Sequence, residues 1–186
     1  YGDTLIVVVG LPDTAVKESK DRVLTALTNS GYGFTFGRTT VNLAPADVRK
    51  EGPSFDLPIA IGMLAASEQM ESDQLGNYMI VGELALDGGV RPVKGMLPIA
   101  ICARNNGRAG LIVPAENAPE AAVVAGLKVI PVQNLREAAG FLEGQLRIEP
   151  AVVDISSIFD HAQDDEVDFA DVKGQESVKR ALEVAA

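Results

Sequence analysis

Apolar positions along this chain follow two rhythms that take turns. Thr4-Leu5-Ile6-Val7-Val8-Val9 is an unbroken, mostly β-branched run that predicts a buried strand, closed by a turn at Gly10-Leu11-Pro12. Val16, Val23, Leu24 and Leu27 then recur at helical spacing behind a cap at Asp13 or Thr14, with Gly31 as the stop and Glu18 paired to Arg22 on the outer face. A second strand is predicted over Arg38-Thr39-Thr40-Val41-Asn42-Leu43 and a short buried helix from Ile59 to Ala66. Met79 to Leu86 and Val90 to Val93 flank Asp87-Gly88-Gly89, a turn suited to positive φ, which predicts a hairpin. A helix around Leu97 to Asn105, a strand at Leu111-Ile112-Val113, a helix from Glu116 to Val124 and a strand from Lys128 to Val132 follow. Asn134-Leu135-Arg136-Glu137 reads as a capping box that opens a last helix to Leu142. Strand and helix in alternation predict an α/β domain over residues 1–143.

From about Gly144 the periodicity fails, and six acids fall between Asp160 and Asp171 with no base among them, as in a solvated linker over 144–171. His161, the one histidine, lies there with no second ligand at metal-site spacing. Order resumes at 172–186, where Val178, Ala181, Leu182 and Ala185 share one helical face that lacks a partner. The formal net charge of −10 argues against a general binder of the phosphate backbone. Nine acids and only three bases lie in residues 150–186, however, so the main domain is only mildly acidic. A local basic patch drawn from Arg38, Arg49, Lys50, Arg91, Lys94, Arg104 and Arg108 therefore stays open. No apolar run reaches membrane-spanning length, and one cysteine forbids an internal disulfide; together these predict a cytoplasmic protein. Cys102 lies in the run Ile99-Ala100-Ile101-Cys102-Ala103 and is predicted to be a small buried hydrophobe.

The stretch with most chemistry is Lys50-Glu51-Gly52-Pro53-Ser54, set just before an apolar helix. A serine at a helix N-terminus stands among unpaired N–H groups that favour a developing oxyanion, which suits a nucleophile; it equally suits an N-cap. Glu51 and Asp56 flank it without a histidine to complete a triad, and Asp56 before Leu57-Pro58 reads as a helix cap.

Lys50-Glu51-Gly52-Pro53-Ser54 resembles the nucleophile segment of Lon peptidases, and the run from Val81 to Val93 resembles the hairpin that follows it there, as Leu111 to Asn117 resembles the later strand and turn. The resemblance implies a ribosomal-protein-S5-domain-2-like, Lon-proteolytic-domain-like fold with a mixed sheet and packed helices. Longer strings, Gly10 to Val23, Val41-Asn42-Leu43-Ala44-Pro45-Ala46-Asp47, Phe55-Asp56-Leu57-Pro58 and Asp168 to Glu176, resemble the magnesium-chelatase-like AAA+ ATPases of the ComM type, associated with competence. Members of that family place a Lon-like domain before a hexameric ATPase module, and the competence member is similar to branch-migration helicases. They also begin with further strand-forming residues before the position of Tyr1, so the first strands of the sheet are expected to be missing. The resemblance implies a noncatalytic accessory and assembly domain whose partners are its own ATPase module, neighbouring subunits of a homohexamer and, as a further candidate, DNA, with no membrane.

The site residues depart from the Lon pattern. Lon's serine needs a lysine base, and its position aligns with Leu97, which cannot take a proton. Ser54 is thus a vestigial candidate, and the alternative function is a Lon-like serine peptidase in which Lys94 acts as a displaced base. No Gly-x-x-x-x-Gly-Lys-Ser/Thr loop occurs, so no cofactor is expected on this chain; ATP and magnesium belong to the longer parent. In related modules the segment matching Val172, Gly174 and Gln175 lies beside the adenine. The family's name brings pigment chelation to mind, yet the residues offer neither a porphyrin nor a magnesium site.

Overall fold

The alternation of rhythms becomes alternation of elements in a computed structural model that describes residues 5–10, 12–33, 37–45, 47–154 and 173–185. Strand β1 (Leu5–Val9) leads into helix α1 (Thr14–Asn29) and returns as β2 (Arg38–Asn42), which pairs with β1 in parallel, Leu5 beside Arg38 and Val9 beside Asn42. Asp13 caps α1 by accepting the Val16 N–H at 2.8 Å, and the helix ends as the Tyr32 N–H closes on the Leu27 carbonyl over Gly31 at φ +84. The last turn of α1 has no base of its own; Arg136 supplies one, donating to the Ser30 carbonyl at 2.6 Å.

Helix α2 (Asp56–Ala66) is followed by β3 (Tyr78–Ile80), the two-residue pair β4 (Glu83–Leu84) and β5 (Val90–Arg91), and α3 (Met96–Asn105). Next come β6 (Gly110–Pro114), α4 (Ala118–Ala122), β7 (Lys128–Val132) and α5 (Leu135–Leu142). Strands β3, β6 and β7 form a parallel sheet in the order β3-β6-β7. Helices cover both of its faces. Ile112, Ile130 and Val132 point toward α1, α2 and α5, with Leu27, Leu57 and Ala138, whereas Leu111, Val113 and Val129 point toward α3 and α4, with Met96, Ala100 and Ala121. That double burial explains why β6 reads as a continuous apolar run instead of an alternating one. The fold is mixed α/β, as expected.

Three elements differ from their sequence-based expectation. The first arm of the predicted hairpin is broken: Tyr78–Ile80 joins the parallel sheet, and only Glu83 and Leu84 pair with Arg91 and Val90. The break falls at Val81-Gly82, where the Val81 N–H goes to the Ile112 carbonyl and the Gly82 N–H to the Ser54 carbonyl. The helix expected from Glu116 to Val124 is a single 3-10 turn over Ala115–Asn117 and then the short α4. Cys102 is exposed, not buried, because α3 turns Met96, Ala100 and Ala103 inward and leaves Leu97, Ile101 and Cys102 on its outer side. Asn134 caps α5 as read, its Oδ1 accepting the Glu137 N–H at 3.0 Å, but the returning bond of the box is shifted by one residue: Glu137 accepts the N–H of Gln133, at 2.7 Å, in place of that of Asn134.

After α5 the chain stays on this unit, the Ala151 N–H closing on the Val129 carbonyl, and the unit ends at Val153. A second unit, Asp154–Ala186, contains helix α6 (Glu176–Ala185), on which Val178, Leu182 and Val184 are exposed. His161 and Val172 lie outside the described residues. Among the described residues no helix is long and apolar enough to cross a membrane.

Candidate functional site

Ser54 sits in a 3-10 turn, Pro53–Phe55, that feeds directly into α2. Gly52 enters this turn at φ +78, a conformation that side chains resist, and its N–H is held at 3.1 Å by the second oxygen of the Asp13 carboxylate. One side chain thus caps α1 and anchors the serine turn. These N–H bonds, that of Val16 foremost, hold the Asp13 carboxyl below its ordinary value. From the other side Gly82 clamps the turn with two backbone bonds, its N–H to the Ser54 carbonyl at 3.1 Å and its carbonyl to the Leu57 N–H at 3.0 Å. A Cβ on Gly82 would lie 2.9 Å from a Val90 methyl and 3.2 Å from a Leu57 methyl, so this approach needs glycine.

Asp56, two residues past the serine, does not cap α2. Its carboxylate is fully buried and accepts Arg22 Nε at 2.8 Å, Arg22 Nη2 at 3.1 Å, the Ser19 hydroxyl and the Leu84 N–H at 3.3 Å. Arg22 therefore pairs across the fold with Asp56 and not along its helix with Glu18, and this bond raises the guanidinium's already high pKa. The network joins α1, α2 and β4 directly behind the serine turn.

In front of the turn lies a cleft of about 350 Å³ lined by Glu51, Gly52, Pro53, Ser54, Glu83, Pro92, Val93 and Lys94. Its far wall is held by Asn117, a buried side chain that accepts the Val93 N–H at 2.8 Å and donates to the Val93 carbonyl at 3.0 Å. The structure thus brings Ser54 and Lys94 to one cleft, although no hydrogen bond joins them. Ser54 is half-buried, Lys94 is exposed, and the Ser54 hydroxyl is not an N-cap: neither the turn nor α2 has a side-chain cap. Leu97 stands outside the cleft lining as the second residue of α3, its N–H held at 3.0 Å by Glu120.

The basic residues singled out from sequence have separate duties. Lys50 is buried and donates to the carbonyls of Pro45 and Val48, shaping the loop before the serine turn. Arg49 pairs with Glu51 at 3.2 Å, and Arg108 donates to the Gly76 carbonyl. Arg38, Arg91, Lys94 and Arg104 are exposed on four different segments. In the second unit Gly174 and Gln175 both have positive φ, at 76 and 57, where they turn the chain into α6. Sequence reading saw Asp13 as a cap but missed its second bond, to Gly52, and missed the roles of Asn117 and Glu83; these depend on contacts distant in sequence and carry no local signal.

A model of the ChlI subunit of magnesium chelatase matches residues 1–117. The chain is 44% identical over 183 residues to the uncharacterized protein YifB of Escherichia coli, covering 97% of this chain and 35% of that protein. It is 43% identical over 180 residues to the competence protein ComM of Haemophilus influenzae, covering 96% and 35%. Lon protease 2 of Bacillus subtilis is 28% identical over 124 residues, 65% of this chain and 22% of that protein. The chain spans about a third of the length of the YifB and ComM relatives it matches.

Proposed function

Because the chain belongs to the family of ChlI, the subunit of magnesium chelatase, we propose that it is a noncatalytic accessory and assembly domain of a longer AAA+ ATPase. The observation that carries this reading is a serine turn without a base. Three separate clamps hold Ser54 in place, yet no side chain among the described residues hydrogen-bonds its hydroxyl; the resemblance to Lon, in which the base position falls on Leu97, supports the same reading. A serine hydroxyl is a weak nucleophile until a positioned base takes its proton. What such a turn retains is shape: a rigid, preformed cleft on the surface of a folding unit, suited to holding a neighbour in place.

The longer protein would supply the ATPase, with ATP and magnesium as its cofactors. This chain's own residues do not fit ATP, since it has no phosphate-binding loop; Gly174 and Gln175 could border the nucleotide only when that loop follows. The name of the Haemophilus relative points to competence, and with the resemblance to branch-migration helicases the reading takes DNA and neighbouring subunits of a cytoplasmic homohexamer as proposed partners of the whole.

One observation favours a second reading, a serine peptidase with a displaced base: Lys94 lines the same cleft as Ser54. Such a base has to be desolvated to work near neutral pH, whereas Lys94 is exposed. A fluorophosphonate probe decides between the two. Incubation of the chain at pH 8 is expected to leave Ser54 unlabelled; labelling that disappears in both Ser54→Ala and Lys94→Ala would establish the peptidase and overturn the noncatalytic reading.

A further inference from the structure

The cleft in front of Ser54 has a chemistry of its own once the bonds around it are counted. Its floor is apolar, from Pro53, Pro92 and Val93. Main-chain recognition along its far wall is restricted: Pro92 has no N–H, and both polar groups of Val93 are taken by Asn117. That wall offers an added strand few partners, which favours an occupant recognised through a side chain.

Three charged groups face this floor. Glu83 is half-buried, and among the described residues no hydrogen bond or ion pair reaches its carboxylate, even though Arg91 stands opposite it in the β4-β5 pair. Arg22, whose charge Glu83 feels, is already held by both oxygens of Asp56. Among the described residues Glu51 is paired only with Arg49, both side chains about two-thirds exposed at 67% and 66%, which is a weak and replaceable contact. Lys94 is exposed at the rim and makes no ion pair among the described residues. A half-buried carboxylate over an apolar floor suits a long aliphatic stem that ends in a cation.

We propose that the cleft is a receptor for one basic side chain, the lysine or arginine of an extended segment of a protein partner. Its methylenes lie on Pro53, Pro92 and Val93, and its cation is placed between Glu83 and Glu51. This rests on the noncatalytic reading of the cleft, in which no substrate backbone has to be presented to Ser54. Lys94 is then a tethered competitor for the same carboxylate, and its removal frees the site.

The test is a ¹⁵N-¹H titration of the full 186-residue chain with three capped tripeptides, acetyl-Gly-X-Gly-amide, where X is arginine, norleucine or glutamate. The arginine peptide is expected to shift the amides of Gly52, Ser54, Gly82 and Glu83 along a saturable curve, and the other two to leave them in place. Glu83→Gln, which keeps the side chain's shape, should weaken the arginine peptide by about fivefold, and Lys94→Ala should tighten it. Equal shifts with norleucine would reduce the cleft to an apolar notch, preference for glutamate would make Lys94 the selecting group, and no shift with any peptide would mean there is no receptor; each overturns the proposal. Fluorophosphonate labelling of Ser54 does not depend on this titration, so failure of the noncatalytic reading is distinguishable from failure of the receptor.

Discussion

At Asp56 a carboxylate with no exposure to water takes donors from Arg22, Ser19 and Leu84. A buried charge satisfied this fully is costly to orphan: removing one partner of a buried pair usually destabilises by roughly 3–5 kcal/mol, while replacing both with apolar groups of similar volume costs far less. Because the Arg22 side chain keeps 24% exposure, Arg22→Ala is expected at the lower end of that range, about 3 kcal/mol in urea denaturation. The double replacement Arg22→Met with Asp56→Leu should cost clearly less than the two single changes added together. A loss below about 1 kcal/mol for Arg22→Ala would mean that the pair behaves as a surface contact. This pairing was not legible in the sequence. Glu18 lies one helical turn from Arg22 and offers a local partner, whereas Asp56 is 34 residues away and only packing of α1 on α2 brings it near.

The elements were legible where a pattern is enforced by a single neighbour. The caps of α1 and α5, the buried β6 and the apolar α2 all follow from local spacing. What escaped was decided by contacts distant in sequence: the hairpin arm divides because Gly82 is drawn onto the serine turn, and Cys102 faces water because α3 has one packed side and an apolar outer side. The same reasoning assigned Val178, Ala181, Leu182 and Ala185 to one face of the last helix. On α6, Val178 and Leu182 are exposed. A ten-residue helix falls short of the roughly 12–15 residues at which isolated helices become stable in water. Hydrogen exchange should therefore find the amides from Ser177 to Val184 exchanging orders of magnitude faster than those of Ile59 to Leu64 in α2, whose side chains are almost all buried. Equal protection would mean that α6 is packed as firmly as the core.

For the molecule as a whole, the site's architecture and its missing base pull in different directions unless the cleft serves assembly. Asp13, Gly82 and Asp56 fix the serine turn from three sides, and Asn117 fixes the opposite wall; in the proposed reading that order serves a partner, since a serine hydroxyl is a weak nucleophile until a positioned base takes its proton. The chain also spans only about a third of the length of its YifB and ComM relatives, and the proposed ATPase activity belongs to the remainder of such a protein. The most direct test is native mass spectrometry with ATP on a longer product that carries this chain ahead of its ATPase module, compared with Ser54→Ala and with deletion of residues 1–153. The account predicts that Ser54→Ala assembles and hydrolyses ATP as the parent does, while the deletion loses the ATP-dependent oligomer. Normal assembly without residues 1–153, or loss of function in Ser54→Ala with its fold intact, would contradict it.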